Sequence, residues 1–529
     1  MTGMVKTINV ADLKAALHDG GEIALLDARE EVPFDARHIL MASCLPIGRI
    51  EVSIDDLVPR RSARVIWCDD GDKLAEQAAA RAASLGYSDV SVLEGGIKAW
   101  EAAGHRIYSG VHVPSKAFAE VVENVAKTPY ITADELKRLI DKKADVAIFD
   151  TRSYEEYHSN SIPGAVSVPG VEIIYRFKDL TPSADTMVVV NCGGRTRSII
   201  GAQALINAGV PNRVVSLKNG TQDWHLAGYE VVKGATRRPP EVSDIGMDVA
   251  IAGARRIAEL CGIKIIDRGT LEIWRSEAKD RTLYTLDVRT QEEYEEGHVA
   301  GVKHIAGGQL VQETDAHLGT WGARVVLFDD NGIRATATAS WLSQMGWEVA
   351  ITTNAEAGGK IVTGPHLPVV QGLDSSKVMR ISPGELRNKL ERGEVTVIDL
   401  NWSRGYYEGH IPNARFAIRS RLDADLGKLP EAGELVFTSP DGLLAEVAAA
   451  DRSAMALQGG TAAWVDAGLP LETGATNMVS VADDIRLKAR EQGTDIEAAM
   501  RDYLAWEIEL VNDIAKDDDH RFDVIVPAS

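Results

Sequence analysis

The stretch Cys192-Gly193-Gly194-Arg195-Thr196-Arg197-Ser198 carries the residue types of a reactive thiol site. The apolar run Val189-Val190-Asn191 leads into it, and a helical pattern follows. A strand-to-helix turn of this kind points several backbone N–H groups into one small cavity. Two glycines let the backbone curl without Cβ penalties. The helix N-terminus and two arginines favour negative charge at the same point. This setting predicts a depressed thiol pKa. A free cysteine near about 8.5 is only about 3% thiolate at pH 7, whereas a shift to about 6.5 makes it mostly thiolate. The same cavity would hold a small anion beside the sulfur, which suits nucleophilic transfer from an anionic donor.

The other cysteines, Cys44, Cys68 and Cys261, are widely spaced and form no CxxC pair. Such spacing disfavours a zinc site or a dense disulfide framework, and no metal or cofactor is expected. Cys44 and Cys261 lie outside any loop of this kind and read as incidental. The net charge of −21 disfavours nucleic acid, whose phosphates need basic stripes. A local cluster of arginines still leaves room for an anionic substrate. No run of about 18 apolar residues predicts a membrane helix. Residues Met1 to Asp12 lack a basic stretch followed by an apolar one, so a cytoplasmic protein is expected.

The elements that must position the thiol recur four times in the 529 residues. A short strand ends in an apolar residue and Asp at Leu26-Asp27, Phe149-Asp150, Leu286-Asp287 and Ile398-Asp399. Arginine follows two residues later in three copies (Arg29, Arg152, Arg289), and Asn401 replaces it in the fourth. A helical pattern precedes each strand. In copies two and four it opens with Thr132/Glu135 and Ser382/Glu385, the spacing of a capping box. A second apolar strand ends at Cys68, Cys192, Phe328 and Thr438, which stand 41, 42, 41 and 39 residues after the Asp. Copies one, two and four close on Gly-x-x-x-Trp, at Gly96–Trp100, Gly220–Trp224 and Gly460–Trp464. Strands alternating with helices predict an α/β fold, each copy a small, mostly parallel sheet with helices on both faces. The expected domains are 5–109, 129–234, 262–364 and 379–475, with a helical C-terminal tail at 476–529. Helical patterns also fill the linkers Gly110–Pro129 and Gly234–Cys261.

Taken together, the Asp-x-Arg strand, the Ile162-Pro163-Gly164-Ala165 turn, the cysteine loop and the Gly-x-x-x-Trp ending resemble a multidomain rhodanese over about residues 5–475. The resemblance implies a persulfide on Cys192, cradled by Gly193 through Ser198. It implies two half-reactions, from thiosulfate to the cysteine and from the persulfide to cyanide or a thiol. In that scheme Arg195 and Arg197 hold the sulfonate. Asp150 and Arg152 form a mutual pair that braces the loop, and His158 is structural. Related phosphatases carry one more residue between Cys and Arg than separates Cys192 from Arg197. The charged loop also resembles thiosulfate-using members more than mercaptopyruvate-using ones. The alternative is a persulfide relay, with a docked protein as sulfur acceptor and the silent copies as the dock.

The remaining loops are read as inactive. Copy one offers Cys68-Asp69-Asp70-Gly71-Asp72, whose acids would raise the thiol's pKa and repel an anion. Copies three and four offer Phe328-Asp329-Asp330-Asn331-Gly332 and Thr438-Ser439-Pro440-Asp441-Gly442, without a thiol. In the tail, Ile496, Met500, Tyr503, Leu504, Ile508 and Val511 recur at helical spacing, with Thr494/Glu497 as a capping box. The tail is expected to pack on the last domain or at a homodimer interface.

Overall fold

The computed structural model describes residues 5–429, 433–488, 491 and 495–527. Each repeat builds one five-stranded sheet, and every sheet has the same strand order: first, fifth, fourth, second, third. In the second repeat the strands are Tyr130–Ile131, Val146–Asp150, Val166–Ser167, Met187–Asn191 and Val214–Leu217, all paired in parallel. Parallel strands need crossover connections, and the intervening helices cover the sheet. The strand Met187–Asn191 is central, and its residues Val188, Val189 and Val190 are fully buried. This leaves its C-terminal end as the firm edge from which the Cys192 loop springs.

Capping chemistry places several helices. Thr132 and Glu135, and Ser382 and Glu385, form reciprocal capping boxes. Two further boxes, Ser153/Glu156 and Thr290/Glu293, open the short helices after the Asp-x-Arg strands. Both expected linker helices form, at Val113–Ala126 and Asp244–Cys261. No helix among the described residues is long and apolar enough to cross a membrane.

The chain divides into two compact units. One comprises Met1–Asp19, Ile23–Val111 and Leu367–Arg486, and so holds the first and fourth sheets. The other comprises Gly20–Glu22, His112–His366 and Leu487–Ser529, and holds the second and third sheets. The tail expectation is corrected here. Residues up to Arg486 go with the fourth sheet, whereas the terminal helix Ile496–Ile514 belongs to the other unit. The helix lies against Val113–Ala126 in the second unit. Met500, Leu504, Leu510 and Ile514 are buried there, and the buried face of Val113–Ala126 meets them. Its N-cap is Asp495, whose side chain accepts from the Ala498 N–H; Thr494 lies outside the described residues.

Strand register also corrects the alignment of the loops. Asp27 pairs with Cys68, Asp150 with Asn191, Asp287 with Phe328 and Asp399 with Thr438. Cys68 is therefore the counterpart of Asn191, the last residue of the strand. The position of Cys192 is taken by Asp69, Asp329 and Ser439. An offset of 41 against 42 concealed this, because a cysteine happened to stand one residue early.

Candidate active site

Cys192 sits one residue past the central strand, at the N-terminal end of the helix Thr196–Ala208. It is 2% exposed. Its backbone carbonyl accepts from the Thr221 N–H at 2.9 Å, and the Gly193 carbonyl from the Gln222 N–H at 3.2 Å. The loop thus rests on the turn that opens the helix Gly220–Leu226. Gly220 has φ +59°, and a Cβ there would stand 2.3 Å from the Cys192 carbonyl oxygen and 2.7 Å from that of Gly194. Only glycine fits both the conformation and the close approach. Gly96 and Gly460 make the same approach to Asp69 and Ser439, which explains the recurring glycine. The Trp of the motif then donates to a carbonyl six residues on, Trp224 to Glu230 at 2.9 Å.

Below the loop, Arg152 grips Asp150 through two bonds of 2.8 and 2.6 Å, and both residues are buried. Arg152 Nη1 and Nη2 also reach the Asn160 side-chain and main-chain oxygens. The expected Asp150–Arg152 pair is formed. His158 is exposed, donates from Nδ1 to the Ala235 carbonyl at 3.0 Å, and stacks on Tyr154.

Neither arginine of the loop is placed as expected. Arg195 turns away from the sulfur into a carboxylate nest on the helix Val113–Ala126. Its Nε and Nη2 bond Glu120 at 2.7 and 2.8 Å, Nη2 also meets Glu123, and Nη1 donates to Asn219 at 3.1 Å. Arg197 bonds Glu156 at 2.7 and 3.3 Å, with Lys488 on the same carboxylate. Arg334 makes the corresponding contact to Glu293 in the third repeat, so Arg197 follows a bracing pattern of the fold. Both guanidinium groups expected to form a sulfonate clamp are thus paired with carboxylates of the chain.

Thr196 donates its hydroxyl to Glu507 on the terminal helix at 2.7 Å. Ser198 Oγ takes a 3.6 Å bond from the Cys192 thiol and donates to the Arg195 carbonyl at 2.8 Å. Burial pushes the Cys192 thiol up; Arg197 and hydrogen bonds with Ser198 pull it down, and the Glu507 charge pushes it further up. The expected depression is therefore overturned. The favourable charge is present, but desolvation of a small buried thiolate outweighs it. Burial also pushes the Glu120 carboxyl up to about 7; Arg195 opposes this, and Glu507 and Glu123 reinforce it.

Sequence reasoning missed Glu120, Glu123 and Glu507. Their signal was faint: acidic residues falling on otherwise apolar helix faces. Nothing local linked those faces to residue 192.

The loops of the other repeats carry an oxygen-bearing side chain at the position of Cys192. Asp69 Oδ1 and Oδ2 accept from the Gly71 and Ala75 N–H groups at 2.9 and 3.0 Å. Asp329 does the same with Gly332 and Ala335 at 2.5 and 3.0 Å, and Ser439 Oγ accepts from Ala445 at 3.3 Å. Two of the four turns thus wrap a carboxylate belonging to the chain itself. Cys68 is fully buried in its strand; burial raises its thiol well above the usual range, and Asp27 and Asp69 add to this.

The Rhodanese-like domain family matches residues 9–103, 132–227 and 272–354. A crystal structure of thiosulfate sulfurtransferase from Pseudomonas aeruginosa superposes with a TM-score of 0.91 and 43% identity. That match covers 98% of this chain and 100% of the other. The chain belongs to the rhodanese-type sulfurtransferase family. Shorter relatives share one repeat. A rhodanese-like stretch of 105 residues is 33% identical to an HTH-type transcriptional regulator of Mycobacterium tuberculosis, covering 20% of this chain and 45% of the regulator. Another of 102 residues is 28% identical to a putative sulfur carrier protein of Bacillus subtilis, covering 19% and 54%. The chain spans about half the length of these curated relatives.

Proposed function

We propose that this rhodanese is a thiosulfate sulfurtransferase acting through Cys192. The observation that carries the proposal is the anion cradle. Equivalent turns hold the Asp69 and Asp329 carboxylates by backbone N–H groups, and Cys192 alone among the four counterparts offers a nucleophile there. The Cys192 thiolate attacks the outer sulfur of thiosulfate. The sulfur–sulfur bond of the donor breaks, and sulfite leaves with the bonding pair. The Cys192 persulfide that remains is anionic, and the N–H groups of residues 193–198 face its charge. Cyanide or a small thiolate then attacks the outer sulfur and restores the Cys192 thiolate.

In this mechanism Gly193 and Gly194 supply curvature, Ser198 holds the sulfur, and Arg197 supplies positive charge while fixed on Glu156. Arg195 and Thr196 anchor the loop to neighbouring helices. Asp150 and Arg152 support it from below. The 2% exposure of Cys192 favours small donors and acceptors over a docked protein.

The test is thiocyanate formation from thiosulfate and cyanide. Wild type should turn over, and Cys192→Ser should lose activity by at least about 1000-fold with an unchanged thermal midpoint. Comparable activity in both would move the chemistry away from this loop.

A further inference from the structure

The terminal helix Ile496–Ile514 closes over the Cys192 loop with a charged residue that is only half satisfied. Glu507 is 1% exposed. Its Oε1 accepts from the Thr196 hydroxyl, 311 residues away along the chain. Its Oε2 is buried without a hydrogen-bond partner among the described residues. That oxygen lies 3.0 Å from the point where a Cβ on Gly194 would stand. The Tyr503 ring, at 3.3 Å, and the Gln222 amide nitrogen, at 3.4 Å, close in on the same point. The carboxyl is therefore seated against the Gly193–Gly194 turn, with no side chain on residue 194 to separate it from the loop.

A buried carboxylate oxygen without a donor is costly. Packing alone would be served as well by glutamine, which could still accept from Thr196. The surroundings do not neutralise the group simply. The helix Val113–Ala126 brings Lys116, Glu120 and Glu123, and the loop brings Arg195, already shared by two carboxylates. Arg197 stands near the sulfur, paired with Glu156, and Lys488 meets that same carboxylate. The helix Gly220–Leu226 presents the uncharged Gln222, and Tyr503 shares the helix of Glu507.

We propose that Glu507 is a positioning residue of the sulfur site: it pins the loop through Thr196 and holds negative charge beside Cys192, opposing charge build-up on that sulfur. Both the thiolate and the persulfide anion are then kept reactive rather than stabilised, so sulfur taken from a donor is passed on rather than retained. The direction agrees with the push that Glu507 exerts on the thiol. The role in turnover rests on the proposed sulfurtransferase reading, whereas the effect on the thiol does not.

The test is the pH dependence of iodoacetamide alkylation at Cys192, followed by peptide mass spectrometry on the full chain. Glu507→Gln keeps the bond to Thr196 and removes the charge. Its alkylation midpoint should fall by about half a unit, a roughly threefold faster reaction at pH 7. Glu507→Asp keeps the charge but draws it back, and should fall between wild type and the glutamine variant. An unchanged or higher midpoint in folded Glu507→Gln overturns the proposal. Should that variant not fold, Glu507→Asp decides: a midpoint below wild type supports the proposal, and one equal or above overturns it. Alkylation needs no sulfur donor, so absence of thiocyanate formation would sink the sulfurtransferase reading without touching this result.

Discussion

Arg195 illustrates how a residue type can be legible and its work not. Two arginines beside a cysteine in a glycine turn read as an anion clamp. The guanidinium of Arg195 instead satisfies Glu120 and Glu123 in a buried nest, and is itself 5% exposed. Removing one partner from such a nest leaves uncompensated charge, which costs on the order of 3–5 kcal/mol. Arg195→Ala is therefore expected to lower the thermal midpoint of the second unit, and adding Glu120→Gln should restore part of the loss. A variant with wild-type stability and only a raised KM for thiosulfate would return Arg195 to the substrate. Cys192 itself was legible because strand end, glycines and helix start all fall within seven residues. Its counterparts were not: Cys68 stands one residue early, and only the hydrogen-bond register places Asp69 at the thiol position.

At the scale of elements, the Gly-x-x-x-Trp ending proves to be part of the foundation of the Cys192 turn. It was visible as a repeat signature, yet its purpose depends on a contact with a loop some 28 residues earlier, between Thr221 and Gly193. Gly220→Ala would force a Cβ to 2.3 Å from the Cys192 carbonyl, in a left-handed conformation. The conformation alone costs about 1–2 kcal/mol, and the clash must also move the loop. Sulfur transfer should drop by at least about tenfold. Wild-type turnover with a wild-type midpoint would show that the turn does not set the loop. The capping boxes at Thr132 and Ser382 were readable because both partners lie within four residues. The terminal helix was equally readable as a helix, but its partner was not, since an apolar face does not name the face it meets.

At the scale of the molecule, periodicity identified four copies but not their grouping into a first-with-fourth and a second-with-third unit. That grouping depends on surface matches such as Glu51 with Arg419 in the first unit and Glu172 with Arg334 in the second. The fourth copy also shows what the missing arginine costs. Asn401 replaces it, Asp399 Oδ2 has no hydrogen-bond partner among the described residues, and burial raises the carboxyl to about 7. A pKa raised on folding favours the folded state fully only below the unfolded value near 3.8. The contribution is lost as pH rises through about 7, roughly 4 kcal/mol in all. Stability of the first unit should therefore decline from pH 4 to pH 8, and Asp399→Asn should flatten that part of the decline and be the more stable protein at pH 8. Urea unfolding at both pH values checks this, and parallel curves for the two proteins would refute it.

The carboxylates of Asp69 and Asp329 have one more consequence. A turn that carries its guest on its own backbone keeps its shape regardless of the ions dissolved around it. The loops of the first and third repeats are in this sense insulated from the medium, whereas the loop of the second begins with the Cys192 thiol in place of that carboxylate. The repeated turn thus serves one chain in two ways, filled by its own carboxylate in the first and third repeats and fronted by a thiol in the second, and a single side chain at its first position makes the difference.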